Sequence, residues 1–320
     1  MDCRRQNKKL LIWGLVFAAS TAFAAIATDI PLRAARWLPP DRQLRALTFE
    51  PRECLSASPD EKTARSVAIG RTAFRTPLLL GGQSARAGLS CNSCHRNGRG
   101  NPHFLFPGLS GAPGTADVTS SLMSSHRGDG IHNPTAIPDL GGAPQTQKIS
   151  RDRNNQSLEK FIRGLIVEEF DGQEPNKMTL DGITDYVRLL SADACSAPAE
   201  QSIRLSNYLS DTRNAMHAAQ FALDGNDRAT ARLMLAGARS SLGMINERYT
   251  ASKLTQDRQL LQDADLELAA MQYAIDINEE DIPFRITTWL AKMPRWVKIL
   301  EQHESMSLFN DVNIASLKNP

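Results

Sequence analysis

Residues 89–99 read LSCNSCHRNGR, with two thiols three positions apart and an imidazole directly after the second, in a chain of 320 residues that has five cysteines. Thiols are scarce here, so a cluster of two beside a histidine ties the surrounding fold to whatever the cluster does. A C-x-x-C pair has three common uses: a redox dithiol, half of a zinc site, or a covalent attachment point. A zinc site of the finger or ribbon type needs a second Cys or His pair at matched spacing, and neither a second C-x-x-C nor an H-x-x-x-H occurs. A thioredoxin-like dithiol belongs in a βαβ context, whereas this stretch follows a Gly-rich loop and precedes NGRGNP.

The compartment is written at the start of the chain. MDCRRQNKK is a short basic head, LLIWGLVFAASTAFA an apolar run, and Ala22-Phe23-Ala24 an A-x-A cleavage pattern. Together they predict a secretory signal peptide over residues 1–24. The apolar run is shorter than the ~20 residues of a spanning helix, and no later stretch is long and apolar enough, so no membrane span is expected after cleavage. Removing the leader takes the balance from 37 basic against 35 acidic residues to 33 against 34. A nearly neutral chain lacks the basic footprint of a nucleic-acid binder. Cys3 leaves with the leader; of the four cysteines left in an oxidising setting, Cys54 and Cys195 lie outside the motif and are expected to pair as a disulfide.

With an export signal in front, C-x-x-C-H is read as c-type haem attachment. Cys91 and Cys94 would add to the two vinyl groups as thioethers, and His95 would lie over the iron as axial ligand. The expected cofactor is one covalently held haem c per chain, in a periplasmic protein.

Around the motif, SPDEKTARSVAIGRTAF carries Ser58 as N-cap, Pro59 at the first helical position and Glu61 completing a capping box, so a helix is expected over 59–74, stopped by Thr76-Pro77. Residues 96–147 are rich in Gly, Pro and Ser with no sustained period and read as loops. Helical segments follow at 157–170 and 180–191, the second with Leu180, Ile183, Val187 and Leu190 on one face. Gly70 and Phe74 lie one turn apart on the first helix and Tyr186 on the last, and a glycine there allows two helix backbones to approach closely.

This order of a Gly-x-x-x-aromatic helix, C-x-x-C-H, long loops and a closing helix with an aromatic resembles the class I cytochrome c fold over residues 58–195. More narrowly, IGRTAFRTPLL…GLSCNSCH and the later NPTAIPDL resemble the bacterial di-haem cytochrome c peroxidase and MauG superfamily. That resemblance implies haem redox chemistry, but the family's two-haem relay does not carry over to a chain with one motif.

The face opposite His95 decides between uses. The resemblance points to Met178, just before the closing helix, as a second axial ligand, with His126 as the alternative distal residue. His103, His132 and Met123 read as loop residues, and His217 and His303 as structural or solvated. Arg96 and Arg99 are candidate partners for haem propionates by proximity.

From residue 199 the pattern changes to long polar helices at 200–223, 228–249, 255–278 and 283–304, with Asp227 capping the second. Trp289 and Trp296 lie seven apart on the last and read as core. The expected architecture is all-α: an N-terminal extension (25–57), a class I cytochrome c-like haem domain (58–195), a helical-hairpin or four-helix domain (199–305) and a tail (306–320). The expected function is an exported mono-haem cytochrome passing single electrons to and from a periplasmic redox partner. The alternatives are a peroxidase-like or MauG-like oxidative enzyme with an open distal face, and a haem-based sensor or assembly protein.

Overall fold

The computed structural model describes residues 30–143, 147–152, 154–195 and 200–317; the expected leader lies outside them. The fold is largely α-helical, with two small antiparallel strand pairs that were not expected. In chain order the elements are α1 (Gln43–Thr48), β1 (Phe49–Pro51), α2 (Glu61–Arg75), α3 (Gly82–Arg86), α4 (Cys91–Cys94), β2 (Thr115–Ala116), β3 (Thr135–Ala136), α5 (Ser157–Gly164), α6 (Lys177–Leu189), β4 (Glu200–Ser202), α7 (Leu205–Asp224), α8 (Arg228–Arg248), α9 (Thr255–Asp276), α10 (Ile282–His303) and α11 (Asp311–Ser316).

Helix α2 starts at Glu61 because the carboxylate of Asp60, not the hydroxyl of Ser58, accepts the backbone N–H of Thr63 at 2.7 Å. An anionic cap also complements the positive end of the helix. It stops at Arg75, and Thr76 turns extended (φ −93°, ψ 116°) ahead of Pro77, since a residue before proline avoids the helical region. At mid-length α2 crosses α6 through glycines: a Cβ on Gly70 would strike the backbone of Gly182, and one on Gly182 would strike that of Ser66 and Gly70. One turn further on, Phe74 and Tyr186 meet with ring centroids 5.1 Å apart, both buried. The close approach that Gly70 allows is therefore made against a second glycine.

Cys54 and Cys195 are joined by a disulfide, as expected. The bond ties the segment ahead of α2 to the chain leaving α6, where Ser56 N–H donates to Leu189 O at 2.8 Å and Ser191 N–H to Cys54 O at 3.0 Å. Nearby, β1 pairs with β4, Phe49 opposite Ser202, so the stretch before the motif is fastened to the start of the C-terminal helices.

Those helices lie close to the expected positions. Asp227 caps α8 by accepting Thr230 N–H at 2.9 Å. Small buried residues, Ala215, Ala219 and Ala222 on α7 with Ala231 and Ala238 on α8, let the two pack along their length. Trp289 is buried and meets Trp296 edge-on, centroids 5.7 Å apart. The apolar residues of α2, α5, α6 and α7–α10 form one continuous cluster. A second, around Leu89, Phe104, Phe106, Leu109 and Met123, organises the loops after α4.

The glycine crossing predicts a contrast. Gly70→Ala lowers unfolding free energy by about 1–3 kcal/mol or more, the range for forcing atoms into a packed interface. Gly164→Ala on α5, where an added Cβ meets nothing within 4 Å, is neutral or stabilising by about 0.5–1 kcal/mol through helix propensity. Urea denaturation of both variants measures the difference.

Candidate functional site

Helix α4 is a single turn closed by a reciprocal cap, in which Ser90 N–H donates to Ser93 Oγ at 3.0 Å and the Ser90 side chain accepts in return. On that turn Cys91 and Cys94 stand at i and i+3, and His95 follows as its C-cap with a non-helical backbone (φ −103°, ψ 68°). The turn is pinned from behind. Asn97 lies in the left-handed region (φ 54°), its N–H donates to Asn92 Oδ1 at 2.8 Å, and Asn101 Nδ2 donates to Ser93 O at 2.8 Å. Cys91 packs against the main core and Cys94 against the loop cluster, so the two sulfurs sit where the apolar clusters meet.

Both thiols are free. Burial pushes Cys91 up to about 12, and burial together with the neighbouring Cys91 does the same to Cys94. Both keep part of their surface accessible. His95 Nδ1 lies 3.0 Å from Pro138 O. A carbonyl only accepts, so Nδ1 carries the hydrogen and Nε2 a lone pair. Burial lowers the His95 pKa against smaller upward effects of Pro138 and Asp139, so the ring is neutral at pH 7.

These findings correct the haem expectation. The covalently joined cysteines are Cys54 and Cys195, not the C-x-x-C-H pair, and among the described residues no group of three or more His, Cys, Asp or Glu is placed to hold a metal ion. The side chains expected to complete such a site have other partners. Met178, at the start of α6, packs its methyl beneath Gly225 at the end of α7. His126 is largely exposed, its Nε2 3.8 Å from the Asp171 carboxylate. Arg99 is engaged by Asp139 at 2.7 Å, and Arg96 donates to Ala46 O at 2.7 Å beside Glu50. The donor set does not fit covalent haem c. The mono-haem electron carrier, the peroxidase-like alternative and the haem-sensor alternative are set aside with it.

The remaining candidates fall into structural roles. Met123 is buried in the loop cluster, its sulfur accepting from Ser84 Oγ at 3.2 Å. His132 is exposed near Asp117, His217 pairs with Gln220, and His303 holds the buried carboxylate of Asp257 at 2.7 Å. His103 Nδ1 is buried without a hydrogen-bond partner.

One further cluster bears no motif in the sequence. Glu53 bridges Arg71 at 2.7 Å and Arg75 at 2.8 Å and accepts from Tyr186 Oη at 2.7 Å, while Arg71 also reaches Asp211 on α7 at 2.5 Å. Arg75 in addition donates to Asn97 Oδ1 at 2.7 Å, which connects the cluster to α4. The available signal was the pair Arg71 and Arg75: like charges at i, i+4 repel on a lone helix, so they imply acidic partners from elsewhere in the chain.

No family model, no curated protein and no solved structure matches the chain.

Two measurements test this electrostatic picture. With both thiols pushed from 9.0 to about 12, alkylation of Cys91 and Cys94 at pH 8 runs about a thousandfold slower in the native chain than in urea, because only thiolate reacts. Burial raises the Glu53 pKa, but Arg75, Arg71 and their hydrogen bonds outweigh it and bring it from 4.5 down to about 2. A depressed carboxylate stabilises above its unfolded pKa and loses that contribution as pH falls through its folded value. A loss of about 3 kcal/mol between pH 4.5 and pH 2 is expected from this group. In Glu53→Gln that part of the acid dependence disappears, and stability at pH 7 is already lower by about 3–5 kcal/mol, because the buried arginines lose their partner.

Proposed function

We propose that the protein works outside the cytoplasm as a thiol–disulfide redox protein, with Cys91 and Cys94 as the dithiol and His95 as the adjacent base. One observation carries the reading: two free thiols share one turn of helix in a chain whose remaining described cysteines are already paired. The leader-like residues 1–24 and the Cys54–Cys195 bond support an exported, periplasmic setting. Since α4 is a one-turn helix among loops, the dithiol is not of the thioredoxin type.

The reaction balances without a bound cofactor. Cys91 and Cys94 form a disulfide and release two protons; the two electrons reduce a disulfide of a periplasmic redox partner to two thiols. Thiols held protonated give the reduced form none of the thiolate stabilisation that makes a dithiol a strong oxidant, so this pair acts as an electron donor. The same protonation makes attack slow, and His95, next to Cys94 in the chain with a lone pair on Nε2, is the candidate acceptor for the proton that must leave first. Helix α4 holds the two thiols on one turn, and the Pro138 carbonyl holds the ring of His95, which follows that turn, in one tautomer.

We also propose kinship in fold alone. The crossing of α2 and α6 at Gly70 and Gly182 supports a class I cytochrome c-like arrangement over 58–195, related to the di-haem peroxidase and MauG superfamily and followed by a helical domain.

Equilibration of the exported chain with a graded thiol–disulfide buffer, alkylation and mass spectrometry test the proposal. The expected result is one two-electron transition confined to Cys91 and Cys94, below about −200 mV, with exchange slowed by His95→Gln and abolished by Cys91→Ser. Sulfurs that stay free under excess oxidant, or that carry a thioether-linked group in the exported protein, would overturn it.

A further inference from the structure

A cavity of about 390 Å³ lies between the Arg33–Trp37 turn, α2, the chain around α4, α7 and α8. Its size falls among small-molecule sites. Cys91, Cys94 and His95 do not line it, although Asn92 and Ser93 of the same turn do.

The charges around the cavity pair off unevenly. Arg71 and Arg75 face Glu53 and Asp211, and Arg33 pairs with Glu247. That leaves Arg96 and Arg248 with Glu50 between them, all three lining the cavity. Glu50 stands 3.6 Å from Arg96 and also accepts from Gln201 at 3.1 Å. Arg248 is 4 % exposed and has no carboxylate in contact among the described residues. Its guanidinium donates to Leu308 O at 2.5 Å and Leu47 O at 2.8 Å and lies over the Phe309 ring. Carbonyl dipoles and a ring face orient such a cation without cancelling its charge. Burial lowers its pKa; Tyr208 opposes this, and the like charge of Arg96 lowers it further against a smaller upward effect of Glu50. Buried charges are ordinarily paired, and here a buried guanidinium on the cavity wall has no carboxylate in contact with it. Part of the wall is apolar, with Trp37, Leu38, Phe104 and Met244.

We propose that this cavity binds a small organic carboxylate, the anionic group meeting Arg96 and Arg248 and the apolar body lying against Trp37 and Phe104. A carboxylate supplies the missing charge and accepts from two guanidinium groups at once.

Calorimetric titration of the full exported chain at constant ionic strength, with benzoate, its neutral analogue benzamide, and inorganic phosphate, tests the assignment. Benzoate is expected to bind and benzamide not. Arg96→Gln weakens benzoate binding by about tenfold or more, and Glu50→Gln, which removes the competing carboxylate, tightens it severalfold. The opposite signs separate charge recognition from damage to the fold, which would weaken binding in both variants. Absence of benzoate binding up to about 10 mM, equal binding of benzamide, tighter binding of phosphate, or loss in both variants would each overturn the proposal.

Discussion

The structure depends on the crossing of α2 and α6. Two helices meet backbone to backbone only where neither carries a side chain, and Gly70 and Gly182 meet that condition together. The close approach brings Phe74 onto Tyr186 and places Arg71 and Arg75 so that Glu53 and Asp211 can close around them. With larger residues at the crossing the helices would separate, and both the aromatic contact and the ionic cluster would open to water.

The ionic cluster couples the parts of the chain. Glu53 comes from the segment before α2, Tyr186 from α6 and Asp211 from α7. Arg75 reaches on to Asn97, which fixes the back of α4. The disulfide beside Glu53 holds the same junction covalently. Low exposure strengthens each interaction and makes an unpaired member costly, so the cluster selects one arrangement of the elements rather than merely adding attraction. It also backs the one-turn helix that carries Cys91 and Cys94 among long loops.

Legibility followed the physics of each feature. Helices α7–α10 and the cap at Asp227 were readable because apolar spacing and turn residues are local signals. Gly70, Phe74 and Tyr186 were readable as a helix contact, yet the partner glycine was not, since nothing local marks Gly182 as facing Gly70. The start of α2 was misplaced by two residues because Ser58 and Asp60 both suit a cap, and the choice rests on which oxygen reaches Thr63. The strands β1 and β4 join residues about 150 apart and bear no local mark. The motif was located correctly, but its assignment to haem failed. Spacing defines which side chains share a face, whereas fitness for a cofactor depends on what stands opposite, and there Met178 and His126 have other partners.

By itself, the sequence determined the positions of the long helices, the near-neutral charge, the pairing left to Cys54 and Cys195, and the clustering of Cys91, Cys94 and His95. Each of these follows from covalent order over a few turns or from counting residue types. Tertiary structure alone decided that the two motif sulfurs sit protonated between apolar clusters, that five charged and phenolic groups close into one cluster, and that Arg248 lines a cavity with no carboxylate in contact with its guanidinium. Those properties depend on burial and on partners distant in the chain, and solvation and pairing of charge are set only when the chain has closed around them.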